Sequence, residues 1–377
     1  MLMTICLSWP RLAVLTMLLA ASAIQARADT LRVGLVIPQS GQFAILGNHV
    51  REAFALWDQT NPQIFADIVE GDDGCTEETG VDAAAAMAEA GVDIVVGFLC
   101  TESLAAALPL LSNEGIPVMT LTVRADIIGE EAKRLGWRFF RLAPRAGEEA
   151  NIAADTIRRL WADKPFALIE DGAISGRELV EAIRANLEER GLKPAFVDNY
   201  RPGQATQPSL VRRLKAAGVS RVFVGGERVD LAVIAAEAEL QGVPLGFMGG
   251  DTLNAPQGDL PLPERTIAVL SDGAIPGPDA AAARDAFAEQ GLVLEGLRAP
   301  AYAAAEILGA VATRHSYGET SIEDLLRHST FSTALGEVSF STDGERIEPG
   351  FGVAILENGE FRRMNLEDIE ELLEQSQ

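Results

Sequence analysis

The apolar positions of the chain alternate between two spacings over most of its length. Short runs of consecutive apolar residues, such as "LRVGLVIP" at 31–38, are typical of strands buried on both faces of a sheet. Between these runs lie stretches with helical spacing, in which for example Val50, Phe54 and Trp57 share one face. The repeated strand–helix order predicts parallel sheets covered by helices, an α/β fold.

The predicted elements form two successive runs and a tail. The first run predicts strands at 31–38, 65–73, 93–99 and 116–122 and helices at 48–59, 79–90 and 103–113. The second predicts strands at 138–144, 166–171, 194–200, 221–226 and 245–251 and helices at 147–161, 175–190, 208–216 and 231–241. After a Pro- and Gly-rich segment, the tail predicts a strand at 266–273, helices at 279–290 and 299–314, strands at 336–340 and 351–361, and an acidic terminal helix.

The two runs contain similar units. "AGVDIVVG" at 90–97 resembles "AGVSRVFVG" at 217–225, and each is followed by an alanine-rich helix and a Gly-x-Pro strand. Two similar lobes would place both sets of strand carboxyl ends at one cleft, where open α/β sheets bind ligands. Two βα units rich in Ala, Gly and Val also look alike by composition, so the similarity leaves both interpretations open.

The composition narrows the class of partner. The 377 residues carry a formal net charge of -24, and the sequence contains no long basic run. Such a surface repels nucleic acid and anionic lipid, so we expect neither as a partner. The acidity is otherwise typical of a soluble protein.

The first 28 residues have the pattern of a secretory signal peptide. Arg11 precedes the apolar segment "LAVLTMLLAASAIQARA", which ends in an Ala-x-Ala motif at Ala26–Ala28. We therefore expect cleavage after Ala28 and export to the periplasm, with an uncleaved anchor as the alternative. The apolar core is short for a transmembrane span.

The cysteines leave two chemical alternatives. Cys6 lies in the predicted signal peptide, so the mature chain keeps Cys75 and Cys100. An even number of cysteines in an exported protein favours a disulfide. Cys100 also stands between a predicted strand and a helix, where a thiolate nucleophile can lie, so an exported cysteine-dependent enzyme remains possible at this point.

Polar residues follow several predicted strands in the first run. Thr101 and Ser103 could cap the helix that follows Cys100, which would leave backbone N–H groups available to an anion. Arg124 follows the strand at 116–122 and could bind a ligand carboxylate or pair with an acidic side chain.

Acidic residues follow the strands of the second run. Asp171 with Ser175, Glu227, and Asp251 with Thr252 stand at predicted strand ends. Two carboxylates facing a cleft could hold an ammonium group or act as an acid and a base. No other motif supports catalysis, and the three histidines have no metal-ligand spacing, so we expect no metal and no cofactor.

Several collinear segments resemble one family. The segments are "VGLVIPQSGQFAILGNHVREAFALW", "DDGC" with "GFLCTES", "EGIPVMTLT", "FMGGD", "APAYAAAEIL" and "GEVSFSTDGE". In these the chain is similar to the type I periplasmic binding proteins of branched-chain amino acid ABC transporters, the leucine/isoleucine/valine-binding family. The resemblance covers nearly all of the predicted mature chain.

The resemblance implies an architecture and partners. It implies two Rossmann-like βαβ lobes joined by three crossover strands, with residues 29–140 plus 271–332 in lobe 1 and 141–270 plus 333–377 in lobe 2. It also implies a Cys75–Cys100 disulfide, a monomer without enzymatic activity, and delivery of a small ligand to ABC permease and ATPase subunits. An exported ligand sensor that docks on a membrane receptor is the alternative, because this fold serves both roles.

The resemblance also implies a set of ligand contacts. Thr101 stands where the family binds the ligand carboxylate, and Asp251 where it accepts the ligand ammonium. Thr122, Val123 and Arg124 stand in the loop that contacts the backbone groups of the ligand.

Three positions depart from the family pattern. Leu46, Ser175 and Glu227 stand where the family often places tyrosines around the ligand. We therefore expect a pocket of different size and charge, whose ligand has a carboxylate bound by Thr101 and Arg124, with Glu227 as an additional acceptor for a cation. A polar amino acid, an amide or a small organic acid would fit.

Overall fold

A computed structural model describes residues 30–315 and 320–374, so the predicted signal peptide lies outside the described residues. The first sheet has five parallel strands in the order β2-β1-β3-β4-β5. The strands are β1 (Leu31–Val36), β2 (Phe65–Gly71), β3 (Ile94–Gly97), β4 (Val118–Thr120) and β5 (Phe139–Arg141). The connecting helices are α1 (Ala44–Thr60), α2 (Glu77–Ala90), α3 (Thr101–Asn113) and α4 (Asp126–Leu135).

The second sheet continues the same pattern. The chain passes through α5 (Glu148–Trp161), β6 (Phe166–Glu170), α6 (Ile174–Glu189), β7 (Phe196–Asn199), α7 (Pro208–Ala216), β8 (Arg221–Gly225), α8 (Arg228–Leu240), β9 (Gly246–Gly249) and β10 (Ile267–Ser271). These five strands are parallel neighbours in the order β10-β9-β8-β6-β7.

The chain then returns to the first sheet before it completes the second. It forms α9 (Ala281–Glu289), α10 (Arg298–His315), α11 (Ile322–His328) and a hairpin of β11 (Thr330–Thr333) and β12 (Gly336–Ser339). Antiparallel strands β13 (Phe351–Glu357) and β14 (Glu360–Arg363) extend the second sheet to seven strands, and α12 (Leu366–Glu374) follows.

Each sheet is covered on both faces. Apolar side chains of α1, α9, α10 and the β11–β12 hairpin share one core with the first sheet, and those of α2, α3 and α4 share the core on its other face. The second sheet packs against α7 and α8 on one face and against α5 and α6 on the other. We call each sheet with its helices the first and the second lobe. The α/β prediction is confirmed.

Helix α4 and the pair α11–β11 were not predicted. Only Ile128 and Ala132 of α4 are buried, and Gly129 lies between them. Glycine is unfavourable inside a helix. Here it is needed, because a Cβ on residue 129 would overlap the side chains of Glu345 and Arg141.

The order of strands places loops of both lobes where ligands bind in such folds. β1 lies between β2 and β3, and β6 lies between β7 and β8, so each sheet reverses its strand order at its first strand. Ligands bind beyond the carboxyl ends of strands at such a switch point. In the described residues, 30–315 and 320–374, no helix is long and apolar enough to span a bilayer.

Three segments connect the lobes, at 142–147, 272–279 and 341–350. Two ion pairs with little exposure hold the third connection. Arg141 Nε, at the end of β5, lies 3.0 Å from Glu345 Oε2, and Arg346 Nη1 lies 2.6 Å from Asp272 Oδ2. The third connection is therefore paired with the end of β5 and with the second connection.

A partly buried carboxylate under the hairpin gives a pH-dependent prediction. Glu306 Oε2 accepts the N–H of Ala334 at 2.6 Å, and burial raises the pKa of Glu306 to about 7. Because the folded state holds this proton more tightly than the unfolded chain, the free energy of unfolding should fall as the pH rises from about 4.5 to about 7. The pKa shift of Glu306 corresponds to a loss of roughly 3 kcal/mol in the free energy of unfolding over this pH range.

Glu306→Gln should remove this pH dependence and raise the free energy of unfolding at pH 8 relative to the wild type, because the amide keeps an acceptor for Ala334. Urea unfolding of both proteins at pH 5 and pH 8 measures both effects. Identical pH dependence in the two proteins would contradict the assignment to Glu306.

Candidate functional site

The cysteines form a disulfide at the edge of the first lobe. Cys75 and Cys100 are bonded with a Cα–Cα distance of 5.3 Å, which ties the loop after β2 to the loop after β3. Cys100 is the N-cap of α3 and Thr101 its first residue, so the prediction of a Thr101 or Ser103 cap is wrong. The Ser103 hydroxyl instead donates to Asp73 Oδ2 at 2.6 Å.

The disulfide gives a stability prediction. It closes a loop with a sequence separation of 25 residues, so the chain-entropy model gives it about 3–4 kcal/mol. The double variant Cys75→Ala/Cys100→Ala should lose that free energy of unfolding in urea. The unreduced wild type should show no titratable thiol from these two residues. Two thiols per mature chain would contradict the bond.

The loop after β4 is held by hydrogen bonds within the first lobe. The Thr122 hydroxyl donates to the carbonyl of Leu99 at 2.8 Å. The Val123 side chain is buried in the core, and its carbonyl accepts Arg141 Nη1 at 3.2 Å. These bonds place the next residue, Arg124, at the edge of the lobe.

Arg124 reaches across to the second lobe. Its Nη2 lies 3.4 Å from Asp251 Oδ2, and its guanidinium carbon lies 4.9 Å from the centre of the Phe351 ring. The sequence left open whether Arg124 pairs with a ligand or with an acidic side chain. In this structure it pairs with Asp251, so one residue from each lobe meets at the proposed cleft.

Asp251 is held in place from two sides. Its Oδ1 accepts the N–H of Ser271 at 2.8 Å, and its own N–H donates to Glu149 Oε1 at 2.8 Å. Burial raises the pKa of Glu149, and the nearby carboxylate of Asp251 acts in the same direction. Each Asp251 oxygen therefore already has a partner.

A cavity of about 370 Å³ lies beside this pair. Four predicted site residues line it: Arg124, Ser175, Glu227 and Asp251. Ser175 and Glu227 are exposed. The volume of the cavity is within the range of small-molecule sites.

The other four predicted residues lie apart from this cavity. Thr101 is the first residue of α3, Thr122 and Val123 belong to the loop after β4, and Leu46 packs against the core of the first lobe from α1. The ligand-binding role of all eight residues stays a prediction.

Sequence reasoning missed Glu149 and the glycines of the cavity wall. Glu149 lies in the first turn of α5, after a connection between the lobes, and not at a strand end. Gly176, Gly225 and Gly226 also line the cavity. The pair Gly225–Gly226 at the end of the predicted strand 221–226 was the available signal.

The chain is similar to several characterised binding proteins. It is 26% identical over 331 residues to the leucine-, isoleucine-, valine-, threonine-, and alanine-binding protein of Pseudomonas aeruginosa, covering 84% of this chain and 87% of that protein. It is 27% identical to the Leu/Ile/Val-binding protein BraC3 of Rhizobium johnstonii, covering 90% of this chain and 95% of that one.

Solved structures share the fold. The structure of a Rhodospirillum rubrum protein assigned to branched-chain amino acid ABC transport superposes with a TM-score of 0.75 at 19% identity, covering 89% of this chain and 100% of that one. The model of the family described as periplasmic binding protein matches residues 30–360. The resemblance inferred from the motifs is therefore confirmed at the level of the family: the chain belongs to the type I periplasmic binding protein family, and is a binding protein and not an enzyme.

Proposed function

We propose that the protein is the solute receptor of an ABC importer. After cleavage of the predicted signal peptide behind Ala28, it captures a small carboxylate-bearing ligand between the lobes and closes by a hinge motion at the three connections. It then delivers the ligand, as a monomer, to permease and ATPase subunits at the membrane. We keep the predicted lobes, 29–140 plus 271–332 and 141–270 plus 333–377, as part of this proposal, except that residues 333–340 go with the first lobe, whose core contains Ala334, Val338 and Phe340.

The observation that carries the proposal is the meeting of Arg124 and Asp251 across the cleft. The strand carboxyl ends of the two lobes contribute one cation and one anion, 3.4 Å apart, beside a cavity. A ligand with a carboxylate can replace Asp251 as the partner of Arg124, and a guanidinium binds a carboxylate with two parallel hydrogen bonds. Such an exchange would couple ligand binding to the relative position of the lobes.

The relatives support a small ligand of this kind. The Pseudomonas aeruginosa relative binds five amino acids by its name. Amino acids, amides and small organic acids therefore form the set to be tested.

A thermal-shift screen of the mature protein tests the proposal. The protein is first unfolded in guanidinium with its disulfide intact and then refolded, which removes any ligand that purifies with it. A compound present at 100 times its Kd adds about 2.7 kcal/mol to the free energy of unfolding and raises Tm. We expect at least one carboxylate-bearing compound to do so, and no rise with any member of the set would contradict the proposal.

A further inference from the structure

The walls of the cavity carry more negative than positive charge. Arg124 is the one basic residue among those lining it, whereas Glu149, Asp171, Glu227 and Asp251 are acidic. Arg124 pairs with Asp251. Arg124 also acts on Glu149, so Asp171 and Glu227 are the lining carboxylates that remain without a basic partner among the residues of the cavity wall.

Asp171 and Glu227 lie at neighbouring strand ends. β6 and β8 are paired with Glu170 opposite Gly225, and the N–H of Asp171 donates to the carbonyl of Gly225 at 3.2 Å. Asp171 Oδ1 accepts the N–H of Ala173 at 2.9 Å. The two acidic side chains thus flank the glycine pair at this end of the sheet.

The Glu227 carboxylate has no structural role in the described chain. Glu227 is the N-cap of α8, but its side chain makes no capping hydrogen bond, and it is exposed. Within 30–315 and 320–374 it has no hydrogen-bond or ion-pair partner. A carboxylate in this state can accept a group from a ligand without breaking any existing bond.

A buried hydroxyl without a partner lies directly behind the same wall. Tyr200 is 5% exposed, and its hydroxyl makes no hydrogen bond. A Cβ on residue 226 would overlap this hydroxyl, so the phenol points at Gly226, which lines the cavity. Burial, with the carboxylates of Asp230, Asp171 and Glu227, raises the pKa of Tyr200, so the phenol stays protonated and neutral.

The glycine wall leaves this part of the cavity accessible. Gly225 and Gly226 present no side chain between Asp171 and Glu227, so a ligand group can approach the strand ends closely. Two carboxylates beside a low-dielectric wall favour a cation there and disfavour a neutral or anionic group.

From this arrangement we infer that the ligand carries a cationic group, an ammonium or guanidinium distant from its carboxylate, which binds between Asp171 and Glu227 against the Gly225–Gly226 wall. The inference rests on the proposed function, because it assigns one end of the ligand in the same cleft. It distinguishes this ligand from the amino acids named for the Pseudomonas aeruginosa relative, whose side chains are all uncharged.

Matched probes test the inference. Isothermal titration with the refolded protein compares L-arginine with L-citrulline and L-lysine with L-norleucine, pairs of similar shape that differ in the distal charge. We expect the cationic member of at least one pair to bind at least tenfold more tightly. Glu227→Gln and Asp171→Asn should each weaken that binding at least tenfold and leave the neutral member unchanged. Glu189→Gln, an exposed carboxylate at the far end of α6, is the matched control.

The outcomes separate this inference from the proposed function. Equal or tighter binding of L-citrulline, L-norleucine, L-leucine or benzoate overturns the distal cation and leaves the solute receptor in place. Cationic probes whose affinity is unchanged in Glu227→Gln and Asp171→Asn also overturn the assignment to this wall. Absence of binding by every probe and every compound of the thermal-shift set overturns both.

Discussion

Arg141→Met should lower the free energy of unfolding by about 3–5 kcal/mol. The Arg141 side chain is 0% exposed, forms an ion pair with Glu345 at 3.0 Å, and donates to the carbonyls of Val123 and Ala125 at 3.1–3.2 Å. Methionine would leave a poorly exposed carboxylate and two carbonyls without these partners. Urea unfolding monitored by circular dichroism measures the loss.

Two further variants keep this prediction testable. In Arg141→Met/Glu345→Met the unpaired carboxylate is absent, so part of the lost stability should return. Arg158→Met removes an exposed arginine whose ion pair with Asp155 is on the surface, and it should cost less than about 1 kcal/mol. A loss in Arg141→Met as small as that of Arg158→Met would show that the connection between the lobes does not depend on this pair.

Arg124→Gln should weaken ligand binding by more than tenfold. A hydrogen bond to a charged group contributes about 1.5–3 kcal/mol, which exceeds the 1.4 kcal/mol that corresponds to a factor of ten. The free energy of unfolding of the ligand-free protein should change by less than about 1 kcal/mol, because the pair with Asp251 is partly exposed. Isothermal titration with the compound that gives the largest rise in Tm measures the affinity.

The controls for Arg124 separate charge from geometry. Arg124→Lys keeps the charge but loses the paired hydrogen bonds, so its affinity should lie between those of the wild type and Arg124→Gln. Arg212→Gln removes an exposed arginine of α7 and should bind as the wild type does. Wild-type affinity in Arg124→Gln would remove this residue from the site.

Local patterns in the sequence predict most of the fold. Continuous apolar runs predicted the strands of both sheets, and the start of α7 at Pro208 agrees with the preference of proline for a first helical turn. α4 was missed because the packing of Gly129 against Arg141 and Glu345 depends on residues far along the chain. The spacing of apolar residues along the chain does not indicate such contacts between distant residues.

The site is less predictable because its contacts join distant residues. Strand ends identified Arg124, Glu227 and Asp251 as candidates, since parallel strands present their carboxyl ends at one edge. The pairing of Arg124 with Asp251, and the support of Asp251 by Glu149, arise only when the lobes face each other. The ion pair of Arg141 with Glu345 likewise depends on the end of β5 and the third connection, which are adjacent only in the fold.

A distance measurement across the cleft tests the central claim that the ligand binds between two lobes that close on it. Nitroxide labels on Ile127→Cys of α4 and Glu178→Cys of α6, both exposed near the helix starts, report the interlobe distance by double electron–electron resonance. We expect the compound that gives the largest rise in Tm to shorten the mean interlobe distance and to narrow its distribution. In Arg124→Gln the same change should require a concentration of this compound that is more than tenfold higher. An unchanged distance at saturation would contradict capture by closure of the two lobes.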